Sequence, residues 1–487
     1  MIELVRQVTI YGFGDLVFRL IGYASFLIYA QIFHPQEFGI LALVITIGSI
    51  LGMLQELGLN NATQRFYLDP NLPEMKRPRL VSTGLMILLV WSSLLTAGGL
   101  LLLYPLKGTL ASRYGIAWAY VALTLLSNIP SQLLLYSQNM LRIHFSPWKF
   151  TLLSFCKNIV SLSLCLLFIL GFGLGLLGFF LGECCALVLS IPLSLFFLRK
   201  DLRWEFDREL AAALIRYGYP FIFAGMGYWL FVSMDKWMLG EMSNISEVGL
   251  YSVASRFAMI VLFVNEVFGR AWTPHAMKLY AGGEQYKKTY GRVFSYWFFA
   301  MTLLGVSVSV FSPEILHLST PENYWGSAGP LSVLVIGFVF SSTSQITALG
   351  ISLERKTQLF FKAAWGTALI NFLLNFFLIP RWGALGAAIA TLISYVALSS
   401  YYLYCSQRLH PIPLEGKKLT VCALINLVAL GLTLNIHHLE SGAVRVLLKV
   451  GICFSVVFLG FAMDILKATD LIKLCANLWP RCQRRYG

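Results

Sequence analysis

The chain has 487 residues, 57% of them hydrophobic and only 12% charged, with a mean hydropathy of +0.72. Soluble domains are about 45–50% apolar and about 25% charged, so this composition excludes a cytosolic enzyme, a nucleic-acid-binding domain and a disordered protein. The net charge of +14 does not indicate a nucleic-acid partner, because the basic residues lie between long apolar segments.

Fourteen apolar segments follow in chain order, each long enough to cross a bilayer as a helix, which takes about 20 residues. We place them at residues 8–33, 37–59, 81–105, 115–136, 150–170, 174–198, 213–239, 248–272, 291–312, 326–350, 358–379, 384–404, 419–437 and 444–463. The sequence therefore predicts an all-α integral membrane protein with about 14 transmembrane helices. Counts of twelve or thirteen are the alternatives, because only short glycine or proline motifs separate spans five and six and spans eleven and twelve.

The basic residues alternate between the two sides of this predicted topology. The side that holds both termini carries 27 of the 37 Lys and Arg residues. Since Lys and Arg accumulate in cytoplasmic loops, this bias places both termini in the cytoplasm. No loop is long enough for a soluble domain, so the function must reside within the helices.

An internal repeat relates two parts of the chain at an offset of 210 residues. Glu37-Phe-Gly begins span two and Glu247-Val-Gly begins span eight, and a second glutamate follows 19 residues later in each copy, at Glu56 and Glu266. Six helices separate the copies, and an even number preserves their orientation, which indicates parallel repeats. We predict two parallel six-helix halves around a central cavity, followed by two further helices and a basic tail; the ranges are 1–200, 201–407 and 408–487.

Few ionisable side chains lie inside the predicted spans, where they are costly and usually face a bundle interior or a water-filled cavity. The basic candidates are Arg19, Lys157, Arg256 and Arg270, and the acidic candidates are Asp15, Glu56, Asp235 and Glu266. Helical periodicity brings Arg256, Glu266 and Arg270 to one face of span eight. Structural roles are the alternative: several of these residues lie near span ends, where long side chains reach the interface, and Asp15 is placed to pair with Arg19.

Aromatic side chains on spans one and seven are candidates for stacking against sugar rings, if the cavity carries a sugar. They are Tyr11, Tyr23, Tyr228 and Trp229. Interfacial belts and helix packing are the alternative roles for these rings.

The sequence shows no catalytic or metal-binding pattern. It lacks HExxH, Walker A and G-x-S-x-G motifs, and its nine cysteines and seven histidines have no metal-ligand spacing. We predict neither an enzyme nor a bound cofactor or metal.

Several motifs together resemble one family of transporters. They are the Tyr-Gly pair at residues 11–12, the Glu-Phe-Gly segment at 37–39, the run Gly-Leu-Tyr-Ser-Val-Ala-Ser-Arg-Phe at 249–257 and the run Gly-Ala-Leu-Gly-Ala-Ala-Ile-Ala-Thr-Leu-Ile-Ser-Tyr at 383–395. Over nearly its whole length the chain is similar to the polysaccharide transporters of the multidrug/oligosaccharidyl-lipid/polysaccharide (MOP) exporter superfamily. These proteins are flippases for undecaprenyl-diphosphate-linked oligosaccharides, such as O-antigen units of lipopolysaccharide.

The resemblance implies a cavity between two halves that opens alternately to each side of the bacterial inner membrane. The head group would pass through this cavity while the prenyl tail stays in lipid. Arginine and lysine suit a diphosphate, so the resemblance implies this role for Arg19, Arg256, Arg270 and Lys157. The carboxylates Asp15, Glu56, Asp235 and Glu266 would serve coupling to a proton or sodium gradient, or charge pairing.

Two other functions compete with the oligosaccharide flippase. One is a multidrug antiporter or lipid II flippase of the same superfamily. The other is a membrane-embedded polysaccharide polymerase or ligase, which would be expected to have a larger outer loop with catalytic residues. The partners implied are the lipid-linked oligosaccharide, the bilayer and other polysaccharide assembly proteins.

Overall fold

The structure, a computed structural model, describes residues 21–144, 146–281, 286–354, 356, 358–436 and 442–462. Within these ranges every regular element is a helix. The chain divides into two compact units, residues 1–249 and residues 250–487.

The first unit is built from nine labelled helices within the described ranges. They are α1 (Ile21–Ile32), α2 (Pro35–Glu56), α3 (Leu59–Tyr67), α4 (Arg77–Leu103), α5 (Lys107–Tyr114), α6 (Trp118–Ile143), α7 (Pro147–Leu166), α8 (Gly175–Leu198) and α9 (Arg208–Met242). Helix α10 (Ile245–Ala281) begins at the end of this unit and continues into the second.

The remaining helices belong to the second unit. They are α11 (Tyr286–Val310), α12 (Ser312–Ser319), α13 (Ala328–Ser342), α14 (Ser344–Leu353), α15 (Gln358–Leu409), α16 (Gly416–Ile436) and α17 (Gly442–Ala462). Helix α15 contains two helical segments that meet at Gly383, where φ is 52° and ψ is −129°. This backbone conformation favours glycine, because a side chain would be strained there.

The helices confirm the prediction of a polytopic all-α membrane protein. Eleven helical stretches in the described ranges are long and apolar enough to cross a membrane, by length and composition alone, and some of them join two neighbouring labelled helices. One of these is α15, which contains both predicted spans eleven and twelve. The 35-residue helix α9 coincides with predicted span seven, and α1 covers the described part of span one. The short helices α3, α5 and α12 were not predicted.

The helices of the first unit pack around buried apolar side chains and a few polar ones that form hydrogen bonds between helices. The Tyr136 ring of α6 is fully buried, and its hydroxyl donates a hydrogen bond to the Val81 carbonyl of α4 at 3.0 Å. The Gln55 amide of α2 donates to the Thr96 hydroxyl of α4 at 2.9 Å. Such bonds between helices fix their rotation within an otherwise apolar core.

The first turns of α2 and α10 approach each other through glycine. A Cβ atom on Gly39 would lie 2.0 Å from the carbonyl oxygen of Ile245, and one on Gly249 would lie 1.9 Å from the carbonyl oxygen of Pro35. Both the two glycines and the two carbonyl residues are 210 positions apart. Each glycine therefore contacts the carbonyl of the residue that corresponds, in the other copy of the repeat, to the residue that the other glycine contacts. The contact requires the absence of a side chain at both glycines.

A histidine–carboxylate pair joins two helix ends of the first unit. His144 follows α6 and Asp201 follows α8, and the imidazole Nε2 lies 3.3 Å from the carboxylate Oδ1. The hydroxyl of Tyr67, the last residue of α3, lies 2.8 Å from the same imidazole nitrogen. Three helices thus meet at one polar cluster.

A second histidine–carboxylate pair lies in the second unit, with the two residue types exchanged. Glu354 follows α14 and His410 follows α15, and His410 Nε2 lies 2.8 Å from Glu354 Oε1. Glu354 is 210 positions after His144, and His410 is 209 positions after Asp201. The repeat therefore carries an acid where the first copy carries an imidazole, and the reverse.

Candidate functional site

A charged face runs along α10. Arg256, Glu266 and Arg270 are all exposed, and exposed apolar residues such as Met259 and Ile260 lie between them in sequence. The first and last of these charges are 14 residues apart, which spans roughly 20 Å at 1.5 Å per residue. The structure thus brings the three predicted residues of span eight to the accessible side of one helix.

The opposite face of α10 is fixed by aromatic packing in the second unit. The Phe268 ring stacks on Trp297 of α11 with centroids 3.7 Å apart, and Trp272, which is 5% exposed, contacts Tyr290 of α11. Burying these rings sets the rotation of the helix. The charged residues are consequently held on the other side.

Helix α9 of the first unit carries three of the predicted site residues. Tyr228 is 65% exposed, and the Trp229 indole donates a hydrogen bond to the Ser49 hydroxyl of α2 at 2.8 Å. Asp235, one to two turns further on, is only 2% exposed. The aromatic pair is accessible, whereas the carboxylate belongs to the interior.

Glu56 ends α2 and is held locally. Its carboxylate accepts a hydrogen bond from the Asn60 amide of α3 at 3.2 Å. Between the two helices, Leu57 and Gly58 have φ angles of 51° and 64°, and the backbone of Gly58 lies directly against that of Gly218 in α9. Glu56 therefore lies at a tight break between two helices.

Lys157 lies in a polar cavity of about 290 Å³ between α6, α7 and α8. Its ammonium group pairs with the Glu183 carboxylate of α8, and the Ser161 hydroxyl of α7 donates to the other oxygen of the same carboxylate. Gln138 and Asn158 also line the cavity. The sequence identified Lys157 as a candidate, but it did not reveal that this residue pairs with Glu183.

A buried network of uncharged polar groups in the second unit was not predicted from the sequence. The Asn375 amide donates to Asn371 at 3.0 Å, the Asn371 amide lies 3.5 Å from the Thr391 hydroxyl, and that hydroxyl lies 3.2 Å from the hydroxyl of Tyr251. The network joins the two segments of α15 to α10. The spacing of Asn371 and Asn375, four residues apart in an apolar span, was the available signal.

The remaining predicted residues lie at the start of the chain. Tyr11, Asp15 and Arg19 are outside the described residues. Tyr23 lies in α1 and is partly buried, with its ring 6.0 Å from that of Phe26. The structure therefore locates nine of the twelve site residues predicted from the sequence, and the roles proposed for them stay predictions.

No group of three or more His, Cys, Asp or Glu side chains is arranged to hold a metal ion among the residues that the structure describes.

Comparison with known proteins identifies the family and the fold. A family model described as polysaccharide biosynthesis protein matches residues 28–329. An uncharacterized membrane protein of Methanocaldococcus jannaschii is 22% identical over 281 residues, which are 57% of this chain and 55% of the relative, so the chain spans about half the length of that protein. A putative O-antigen transporter of Shigella flexneri is 22% identical over 414 residues, covering 80% of this chain and 95% of the relative. Among solved structures, lipid II flippase MurJ in an inward closed conformation has a TM-score of 0.73 at 15% identity, covering 95% of this chain and 99% of MurJ.

Proposed function

Because this chain belongs to the polysaccharide biosynthesis protein family, within the MOP superfamily of membrane transporters, we propose that it is a flippase for undecaprenyl-diphosphate-linked oligosaccharide. The cargo would be an O-antigen unit or another surface polysaccharide repeat unit. It would pass from the cytoplasmic to the outer leaflet of the bacterial inner membrane by alternating access. The proposal is supported by the alignment with 95% of the Shigella flexneri protein named as a putative O-antigen transporter.

The charged face of α10 is the observation that carries this proposal. A diphosphate needs cationic groups, and the planar guanidinium group of arginine can donate two parallel hydrogen bonds to a phosphate, as a bidentate donor. Arg256 and Arg270 are exposed on one face of a membrane helix, an arrangement that lipid alone would penalise. Arg19 belongs to the same proposal. Lys157 does too, but it would act on a phosphate only when its pair with Glu183 is broken.

The carboxylates are proposed to couple transport to a proton or sodium gradient, or to balance the cations. Glu266 lies on the same face as the two arginines of α10, and Asp235 is buried in α9. Glu56 is bound to Asn60, which favours a structural role for it. Asp15 completes this set.

Aromatic rings can supply the apolar surface on which sugar rings stack. Tyr228 and Trp229 lie next to each other on α9, and Tyr23 lies on α1; with Tyr11 they are the proposed sugar contacts. A lipid II or drug transporter of the same superfamily is the alternative, and the similarity to MurJ supports it only at the level of the fold.

Arg256 gives the direct test. Replacing Arg256 with Ala should slow flipping by roughly ten- to a hundred-fold, because a charge-assisted hydrogen bond contributes about 1.5–3 kcal/mol. Arg256→Lys should flip faster than Arg256→Ala but more slowly than the wild-type protein, because lysine keeps the positive charge and lacks the bidentate guanidinium group. Surface polysaccharide and membrane protein level are measured together in cells that depend on this protein.

Arg381→Ala is the matched control, because Arg381 is an exposed arginine in the segment between predicted spans eleven and twelve. It should leave both polysaccharide and protein level unchanged. Normal polysaccharide in Arg256→Ala at normal protein level would contradict the proposed role of this arginine.

A further inference from the structure

The segment between α8 and α9 crosses α4 near its start and is bound there by two hydrogen bonds. The backbone N–H of Arg203 donates to the Ser82 hydroxyl at 2.8 Å, and that of Asp207 donates to the Thr83 hydroxyl at 3.1 Å. Ser82 and Thr83 are both buried. Residues 203–207, which we call the crossing segment, are therefore fixed against α4 at both ends.

Two aromatic side chains of the crossing segment are exposed. Trp204 is 60% exposed and Phe206 is 54% exposed, and Glu205 between them forms an ion pair with Arg79 of α4. The φ angle of Trp204 is 49°, in the left-handed region that a bulky side chain rarely adopts. Such a conformation persists only where the surrounding structure fixes it, as the two hydrogen-bonded ends of the segment do here. The exposed indole ring is thus held in place at a cost in free energy, which indicates a contact outside the chain.

Phe206 and α4 form an apolar groove of about 480 Å³, which we call the α4 groove. Its residues on α4 are Met86, Ile87, Val90, Trp91 and Leu94. The first and last of these are eight positions apart, so the groove extends about 12 Å along the helix axis. Because α4 is long and apolar enough to cross a membrane, hydrocarbon is favoured over water as the occupant of this groove.

Two exposed basic residues at this end of α4 are available to an anion. Lys76 directly precedes α4, and Arg203 begins the crossing segment. Neither side chain forms an ion pair or a hydrogen bond with any residue that the structure describes, whereas Arg79 is paired with Glu205. The positive-inside bias predicts that this end of α4 faces the cytoplasm, where anionic lipids attract basic residues near the membrane surface.

An apolar groove beside exposed cations and aromatic rings suits a lipid with a negative head group. An acyl chain in the groove buries apolar surface, and a guanidinium group can donate two hydrogen bonds to a phosphate. Indole rings are enriched at the level of the head groups. A zwitterionic lipid carries a positive charge next to its phosphate, which weakens its attraction to a cation. The chemistry therefore favours an anionic phospholipid over a zwitterionic one.

We propose that the crossing segment and the α4 groove form a binding site for an anionic phospholipid of the cytoplasmic leaflet. One acyl chain lies in the α4 groove, the phosphate binds Arg203 and Lys76, and the ring of Trp204 lies at the level of the head group. None of these residues belongs to the set proposed above for the cargo. Lipid binding at this site is independent of the flippase function.

Thermal unfolding of the detergent-purified protein tests the site without any cargo. Dioleoyl phosphatidylglycerol should raise the melting temperature of the wild-type protein more than dioleoyl phosphatidylcholine does, because a ligand that binds only the folded state stabilises it. In Arg203→Ala, the phosphatidylglycerol concentration that gives half of the shift should rise about ten-fold, the effect of one lost charge-assisted hydrogen bond. Val90→Trp places a large side chain in the α4 groove and should also weaken binding, although it leaves both cations in place.

Trp204→Gly separates lipid binding from folding. Glycine adopts a φ angle of 49° without strain, so the lipid-free variant should melt at or above the temperature of the wild-type protein. With saturating phosphatidylglycerol, the wild-type protein should melt at the higher temperature, because the variant lacks the indole ring. A variant that melts below the wild-type protein without lipid, and that gains the same shift with lipid, would contradict the role of Trp204.

Trp148 and Lys149 at the start of α7 provide the matched control, because they too are an exposed aromatic residue and an exposed cation next to each other in sequence. Trp148→Leu and Lys149→Ala should keep the preference of the wild-type protein for phosphatidylglycerol. Equal shifts with the two lipids in the wild-type protein would overturn the proposal. So would the same loss of preference in Lys149→Ala as in Arg203→Ala, since it would indicate general attraction to a charged bilayer rather than a site.

Discussion

Asp201 shows how burial and charge compete at a single residue. Its side chain is 15% exposed and lies 3.3 Å from His144. Burial raises the pKa of Asp201 above its ordinary value, and the attraction of His144, Lys149 and Lys200 offsets this only in part. The two groups are close enough for an ion pair, but the carboxyl group of Asp201 has a higher pKa than a carboxyl group in water and so ionises less readily.

We expect Asp201→Asn to stabilise the protein slightly at neutral pH. A raised native pKa means that the stability contributed by Asp201 is fully present below about pH 3.9 and is lost as the pH rises through that native value. Asparagine never ionises, so it avoids this loss. At pH 7.5 the free energy of unfolding of the purified variant should equal or exceed that of the wild-type protein by about 1 kcal/mol or less, and its melting temperature should be correspondingly equal or higher. The difference should vanish near pH 4.

Glu74→Gln serves as the control, because the Glu74 side chain is 86% exposed and should be neutral in the same assay. A lower melting temperature of Asp201→Asn at pH 7.5 would show that the attraction to His144 outweighs the cost of burial.

Single residues divide into those that the sequence could identify and those that it could not. Charged residues inside apolar spans are conspicuous, so Lys157, Asp235 and Arg256 were found without a structure. Their partners are set by how helices pack, which is why the contact of Lys157 with Glu183 emerged only from the fold. Uncharged residues such as Asn371 were missed because an amide carries no charge that has to be neutralised inside a span, and so does not by itself indicate a site.

At the scale of helices, the reciprocal contact of Gly39 and Gly249 brings the backbones of the first turns of α2 and α10 close together. Each glycine faces a backbone carbonyl oxygen of the other helix, so the contact cannot be relieved by a side chain that rotates away. The sequence showed these glycines only as matched positions of a repeat. Their function in packing required the backbone geometry.

Gly39→Ala and Gly249→Ala should each reduce the amount of folded protein. A Cβ atom about 2 Å from a carbonyl oxygen forces the helices apart, and overpacking of this kind typically costs about 1–3 kcal/mol. The measurement is the yield of monodisperse protein after extraction in mild detergent and its melting temperature.

Gly98→Ala in α4 is the matched control, since a Cβ atom there has nothing within 4 Å. It should be neutral or stabilising by about 0.5–1 kcal/mol, because alanine restricts the unfolded chain more than glycine does. Equal yields of the Gly39→Ala and Gly98→Ala proteins would argue against the close contact.

Long helices were predictable, and short ones were not. An apolar run of about 20 residues is a strong signal for a membrane-spanning helix, so the predicted spans coincide with α2, α4, α6 to α11, α13 to α17 and the described part of α1. Helices α3, α5 and α12 have nine, eight and eight residues. Segments of this length at the ends of spans have no hydropathy signal of their own, and their form depends on what they pack against.

At the scale of the whole molecule, the distribution of basic residues predicts a topology. The charge bias predicts that the segment before α4 and the segment between α8 and α9 lie in the cytoplasm, and that α5 and α12 lie outside. Exposed positions exist in all four regions: Lys76, Trp204, Thr109 and Leu318.

Single cysteines at these positions, introduced into a cysteine-free chain, test the topology with a membrane-impermeant maleimide. Lys76→Cys and Trp204→Cys should react in inverted membrane vesicles and not in intact cells, and Thr109→Cys and Leu318→Cys should show the opposite pattern. Cys165, which is fully buried, is the control that should react from neither side. Labelling of all four positions from one side would contradict the prediction that these loops lie on opposite sides of the membrane.

The exchange of imidazole and acid between the two histidine–carboxylate pairs has an evolutionary consequence. If the halves descend from one duplicated segment, one pair reversed its order after the duplication, at positions 144 and 201 or at 354 and 410. Reversal that keeps only a histidine or an acid at each position passes through either two carboxylates or two imidazoles. Two ionised carboxylates at this distance repel each other, whereas two neutral imidazoles do not. The accessible route leads through a histidine–histidine ancestor, and descendants should carry the pair in either order while avoiding two acids.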